Sequence, residues 1–233
     1  YGLLSYKEER KLGLSWSKRL SERSFLAVNG TLLAANLAIK NGIGCHLGGG
    51  THHSHFDYGA GFCVFNDLAY AALMLINNKI VKKILIFDCD VHQGDGTARI
   101  LEKNDNIFTC SIHCKKNFPL NKAQSNLDIE LEDHTNNTEY LNEIQKTIKF
   151  CVNSFKPDFV LYDAGIDIHK DDELGKINID DDGCLERDIL VLNFLKKLSI
   201  PVATVIGGGY SKNKDELALR HSFVFNAANQ VFG

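Results

Sequence analysis

The 233-residue chain is short of several things, and each shortage removes a class of function. Its charge balance is −3, so there is no basic excess of the kind a nucleic-acid groove needs. No apolar run approaches the length of a membrane span, and no signal peptide is expected. Seven cysteines occur without a CxxC pair; Cys110 and Cys114 have no second pair to complete a metal site, so all seven are expected to be reduced and mostly buried. Only three prolines are present, and no Pro/Ser-rich linker, repeat or low-complexity tract divides the chain. Neither a GxGxxG fingerprint nor a phosphate loop with its Lys-Ser/Thr is found. The only methionine is Met74, so Tyr1 is not a translation start and residues are expected to be missing ahead of it. N-x-T patterns at Asn29 and Asn136 would matter only in a secreted chain; a cytoplasmic location, or nuclear in a eukaryote, is expected.

What remains is an ordinary globular composition, 44% hydrophobic and 24% charged, with enough material for one core. Apolar strands alternate with helical patterns. Strands are expected at 43–47, 83–89, 107–112, 158–162 and 201–206. Helices are expected at 31–40, from a cap at Asn66 or Asp67 to Asn77, and at 97–103, 138–155, 184–198 and 215–230. Residues 1–24 show weak periodicity around Trp16 and Leu20, and 113–135 reads as a long polar loop. The alternation predicts a single α/β domain over residues 1–233, a mainly parallel sheet with helices on both faces.

In such a sheet the loops after the strands share one edge, where ligands bind. Four of these loops are unusual: GGGTHH from Gly48, DCDVHQGDG from Asp88, DAGID from Asp163 and GGGY from Gly207. Asp90 and His92 stand two apart, so in extended chain both point the same way. Asp167 supplies a third donor, with Asp163 and Asp171 as nearby rivals. One imidazole and two carboxylates leave a position open for water, as a hydrolytic zinc requires; Fe2+ is compatible with so much oxygen. His52 and His53 are candidates for the base that such a water needs, and Asp88 and Asp95 for the carboxylates that orient them. Tyr210 can hold an oxyanion. His55, His113, His134, His169 and His221 are expected to be structural, and the acids at 171–173 and 180–182 to be a solvated loop and a helix start.

Taken together, GGGTHHSHFDYGAGFCVFND, DCDVHQGDG, DAGIDIHKDDELG and GGGY resemble the zinc-dependent histone deacetylase family, from about Val28 to Tyr210. NGTLLAANLAIKNG, HQGDG and GGGYSK are most similar to its class IV branch and bacterial relatives. The resemblance implies the arginase–deacetylase fold, with Asp90, His92 and Asp167 as zinc ligands. It implies His53 as general base and acid, His52 as its electrostatic partner, Asp88 and Asp95 as their respective carboxylates, and Tyr210 as the transition-state tyrosine. Gly61, Phe62 and Phe118 match tunnel positions that contact the acyl-lysine. Ser111, with the backbone around Asp88, matches a structural K+ site. The implied activity is hydrolysis of an N-ε-acyl-lysine in a protein or peptide. Alternatives on the same fold are a deacetylase of acetylpolyamines or other small amides, a long-chain defatty-acylase, or an inactive binding module. Arginase-type chemistry would need bridging ligands that are not found. Few residues precede His52, so the first strand and rim loops of the family are expected to be absent, and no acidic rim residue is located.

Overall fold

Every residue of Ile84–Asp88 is buried. Ile84 and Ile86 enter one hydrophobic layer, Leu85 and Phe87 the other, as the two-residue pleat dictates. A strand buried on both sides belongs in a parallel sheet covered by helices. The computed structural model, which describes residues 3–233, has that architecture. The strands are β1 (Ile43–Cys45), β2 (Ile84–Asp88), β3 (Ile107–Cys114), β4 (Leu127–Leu131), β5 (Phe159–Asp163) and β6 (Val202–Val205). They form one six-stranded sheet in the order β1-β6-β5-β2-β3-β4, parallel at every pairing.

The helices are α1 (Tyr6–Leu12), α2 (Lys18–Asn41), α3 (Asp67–Asn77), α4 (Asp95–Leu101), α5 (Asn137–Phe155), α6 (Asp181–Lys197), α7 (Lys214–His221) and α8 (Phe223–Phe232). Ala34, Ala35 and Ala38 of α2 let that helix approach the sheet closely, beside Leu68 and Leu75 of α3 and Leu101 of α4. On the other face α5, α6 and α8 bury Ile144, Ile148, Val191, Leu195, Val224 and Ala227. Fully burying each of the leucines, isoleucines and valines among these stabilises the fold by about 1.5–3 kcal/mol before chain entropy is counted.

Three expectations are corrected. The polar start of the chain holds α1 and the first half of α2: Ser5 and Glu8 form a capping box, and Ser17 caps α2 through the Leu20 N–H. The loop expected at 113–135 contains β4, an edge strand whose LDIEL alternates with period two and pairs with β3 from Cys110↔Leu127 onward. The last helix is two helices, interrupted at Ser222, whose hydroxyl returns to the Leu219 carbonyl at 2.6 Å. All seven cysteines are free; six are buried and Cys45 is half-buried. Among the described residues no helix is long and apolar enough to cross a membrane.

The strand order carries the main consequence for the site. β1, β6, β5 and β2 are consecutive neighbours, so the four unusual loops stand side by side along one sheet edge.

Candidate metal centre and active site

Asp90 and His92 leave the end of β2 and Asp167 arrives from the loop after β5; their donor atoms converge, and all three residues are buried. His92 Nδ1 lies 3.1 Å from Asp90 Oδ1 and 3.0 Å from Asp167 Oδ2. An imidazole carries at most one positive charge, so two carboxylates meeting at one ring nitrogen leave surplus negative charge. Three donors at about 2.0–2.2 Å from one divalent cation would stand about 3.3 Å apart, close to the spacing seen. The set therefore fits a divalent cation. Left to one another, the groups titrate far from their usual values. Burial would lower His92, but Asp167 and Asp90 outweigh it and raise its pKa to about 10. Burial and the Asp90 charge push Asp167 up to about 7.

The rivals for the third position separate clearly. Asp171 is exposed and pairs with Arg220 at 3.2 Å. Asp163 joins a second buried cluster with His52 and Asp88. In that cluster His52 Nδ1 and Asp88 Oδ2 are already hydrogen-bonded at 2.8 Å. Asp90, His92 and Asp167 line a cavity of about 520 Å3, whereas Asp88 and Asp163 do not. A cation needed for chemistry belongs with the set that faces the cavity.

The GGGTHH loop runs beside the GGGY loop, with the Ile206 N–H donating to the Gly48 carbonyl at 3.2 Å. It presents two histidines in different settings. His53 Nδ1 meets Asp95 Oδ1 at 2.7 Å, which leaves Nε2 as the basic nitrogen. Burial would also lower His52, but Asp88, Asp90 and Asp163 hold its pKa well above that of a free imidazole. For His53, burial and then the neighbouring His52 charge bring the pKa down to about 4, against the pull of Asp95. Adjacent imidazoles are thus driven in opposite directions, His52 up and His53 down, which is how acid and base roles are divided in a site.

Tyr210 lines the same cavity, and its ring lies 6.0 Å from that of Phe62. Burial first, then Asp90 and Asp167, raise its pKa, so it remains a phenol able to donate. Phe118 stands edge-on to His53 with ring centroids 4.8 Å apart. Phe62 and Phe118 are about half exposed, 47% and 45%. Gly61 packs on the His53 ring so closely that an added Cβ would lie 2.5 Å from Cδ2. Ser111 is buried beside Asp88 in register, and its hydroxyl lies 3.0 Å from His113 Nδ1. Beyond Asp90, His92 and Asp167, the cavity continues past Leu20, Arg23 and Ala27 of α2.

Of the two expected caps for α3, Asn66 takes the place. Several supporting contacts escaped the sequence reading. Asp67 is left free to accept from the Thr51 N–H at 2.7 Å and the Gly50 N–H at 3.1 Å, holding the glycine loop. Asn117 reaches His92 Nε2 at 3.3 Å. Gln93 ties the loop that carries Asp90 and His92 to Asp128 and to both polar groups of the Ala123 backbone. Asp172, expected in a solvated loop, accepts the Tyr210 N–H at 2.7 Å and fixes that backbone. His55, expected to be structural, shares Asp95 with His53 at 3.2 Å.

Comparison with known proteins gives a consistent result. The family model described as "Histone deacetylase domain" matches residues 5–224. An uncharacterized protein of Picosynechococcus sp. is 43% identical over 231 residues, covering 99% of this chain and 77% of that protein. Histone deacetylase 2 of Arabidopsis thaliana is 32% identical over 189 residues, covering 80% of this chain and 49% of its own length. In fold, the chain is similar to an acetylpolyamine aminohydrolase from Burkholderia pseudomallei, with TM-score 0.76 at 19% identity, covering 91% of this chain and 64% of that one. The chain thus spans about half the length of its plant relative.

Proposed function

The chain belongs to the histone deacetylase domain family, and from that premise we propose that it hydrolyses the amide of an N-ε-acyl-lysine in a protein or peptide. The observation that carries this reading is the buried Asp90, His92 and Asp167 set opening into a cavity that His53, Phe62 and Tyr210 also line. Two half-exposed phenyl rings, Phe62 and Phe118, stand near Tyr210 and His53, with the charged groups buried below them. An apolar methylene stem packed along the Phe62 ring would deliver a neutral amide to the polar floor of the cavity; a charged or bulky group taken there would be desolvated at a cost.

In this reading Asp90, His92 and Asp167 hold the cation, Zn2+ or Fe2+. That cation, when bound, supplies polarisation of the acyl carbonyl and acidifies the attacking water. His53, neutral at pH 7, takes the proton of the attacking water at Nε2 and then gives a proton to the departing lysine amine. Asp95 holds the ring and stabilises the imidazolium that forms. His52, held toward its charged form and paired with Asp88, offsets the negative charge gathered on the acids below it. Tyr210 donates its phenol proton in a hydrogen bond to the developing oxyanion. A K+ ion at Ser111 and the backbone of Asp88 belongs to the same proposal, supported by the buried Ser111 hydroxyl beside Asp88. Placement in the class IV branch rests on the wording of HQGDG and GGGYSK.

A panel of acyl-lysine peptides from acetyl to myristoyl, assayed on metal-loaded protein with and without a hydroxamate, tests the reading. Hydroxamate-sensitive release of one or more acyl groups is expected. Metal-loaded, folded protein that cleaves none of them refutes it.

A further inference from the structure

No fully buried side chain among the described residues is larger than Arg187. Arginine is almost never fully buried unless its donors are all engaged, because stripping water from a guanidinium is costly. Arg187 lies in α6, outside the cavity lining, so it does not meet substrate. Nε donates to Asp188 Oδ1 at 2.9 Å, and the same oxygen accepts the Tyr162 hydroxyl at 2.6 Å. The two remaining arms of the fork go to the backbone: Nη1 donates to the Gly165 carbonyl at 2.6 Å and Nη2 to the Ala164 carbonyl at 3.0 Å.

Those carbonyls belong to the three residues between β5 and Asp167. The amides of this stretch are held from the other side: Ala164 N–H donates to Val205 at 3.0 Å and Ile166 N–H to Gly208 at 2.8 Å. Gly165 also presses on Asp90; a Cβ there would lie 2.6 Å from Asp90 Oδ2 and 2.7 Å from its Cα. A shift of the 164–165 peptides therefore moves Asp167 along the chain and displaces Asp90 by contact. We propose that Arg187, braced by Asp188, is a positioning residue for the divalent-cation centre, its two carbonyl hydrogen bonds setting where Asp167 and Asp90 present their oxygens. This rests on the metal-centre reading given above. Lysine cannot replace it fully, since a point ammonium lacks the planar fork that serves two carbonyls and a carboxylate together.

The test uses Co2+ as probe on the full chain, by titration of its visible absorption in competition with a chelator, beside denaturant unfolding of each variant. The variants are Arg187→Lys and the charge-neutral pair Arg187→Met/Asp188→Asn, which leaves no lone buried charge. The folded double variant is expected to bind Co2+ about 10–100-fold more weakly, with shifted absorption bands, and Arg187→Lys to fall between it and the parent. Parent-like affinity and bands in the folded double variant overturn the role, however much stability is lost. Should the double variant not fold, the same criterion applies to Arg187→Lys. A parent that takes up no Co2+ also overturns it. A parent that binds Co2+ yet cleaves no acyl-lysine sinks the functional reading and leaves the positioning role standing.

Discussion

Gly208→Ala changes no titratable side chain and is expected to damage the metal centre as badly as loss of a supporting carboxylate. A Cβ at residue 208 would lie 2.2 Å from Asp167 Oδ2 and 2.7 Å from Asp90 Oδ2. Alanine keeps the N–H that donates to Asp90 Oδ2 at 2.6 Å, so the methyl alone is responsible. Relief of the closer contact needs a displacement of about 1 Å, whereas metal–ligand distances tolerate only about 0.2 Å. Cation affinity should therefore fall at least about 10–100-fold, with about 1–3 kcal/mol of lost stability from overpacking. Gly48→Ala is the control: it lines the same cavity, but its Cβ would stay 3.2 Å from the His46 ring, and affinity should hold within about twofold. Metal dissociation constants by chelator competition, with unfolding curves for both variants, decide the matter. A Gly208→Ala protein that binds cation like the parent would show that Asp167 and Asp90 do not form the site.

Three further outcomes follow from the same geometry. Asp95→Asn should lower kcat about 10–100-fold while leaving metal affinity intact, measured by steady-state kinetics and metal titration on one preparation. Tyr210→Phe should lower kcat by about 10²–10³; an unchanged kcat removes the oxyanion role. His113 is fully buried, and burial lowers its pKa to about 4, so between pH 4 and 6.5 the unfolded chain binds a proton that the folded chain refuses. Stability from this group is thus complete above pH 6.5 and is lost as pH falls, on the order of 2 kcal/mol between pH 7 and 5. Urea unfolding of the parent and His113→Asn at both values should show that difference in pH dependence; parallel curves would remove it.

Much of this site could be read from local spacing because its donors sit at strand ends, where apolar runs stop abruptly at Asp or Gly. Asp90 with His92, and His52 with His53, are neighbours in sequence and needed only the sheet topology to bring them together. The supporting contacts were beyond that reach. Gly208 and Asp90 are 118 positions apart, Arg187 and Gly165 are 22 apart, and Tyr210 and Asp172 are 38 apart. Each joins a backbone group to a side chain, and a backbone group leaves no mark in composition. Some local signals were present and unread: Ser5 with Glu8 for α1, the period-two LDIEL of β4, and a buried Arg187-Asp188 pair on α6. Weak periodicity hid the first, edge exposure the second, and the expectation that charges face solvent the third.

The central claim is that one divalent cation sits between Asp90, His92 and Asp167. Anomalous diffraction at the zinc edge, from crystals of Zn2+-loaded protein, tests it most directly. The account predicts one peak about 2.0–2.2 Å from His92 Nδ1, Asp90 and Asp167. A peak among His52, Asp88 and Asp163 instead, or none at either cluster in protein shown to be loaded, would contradict it.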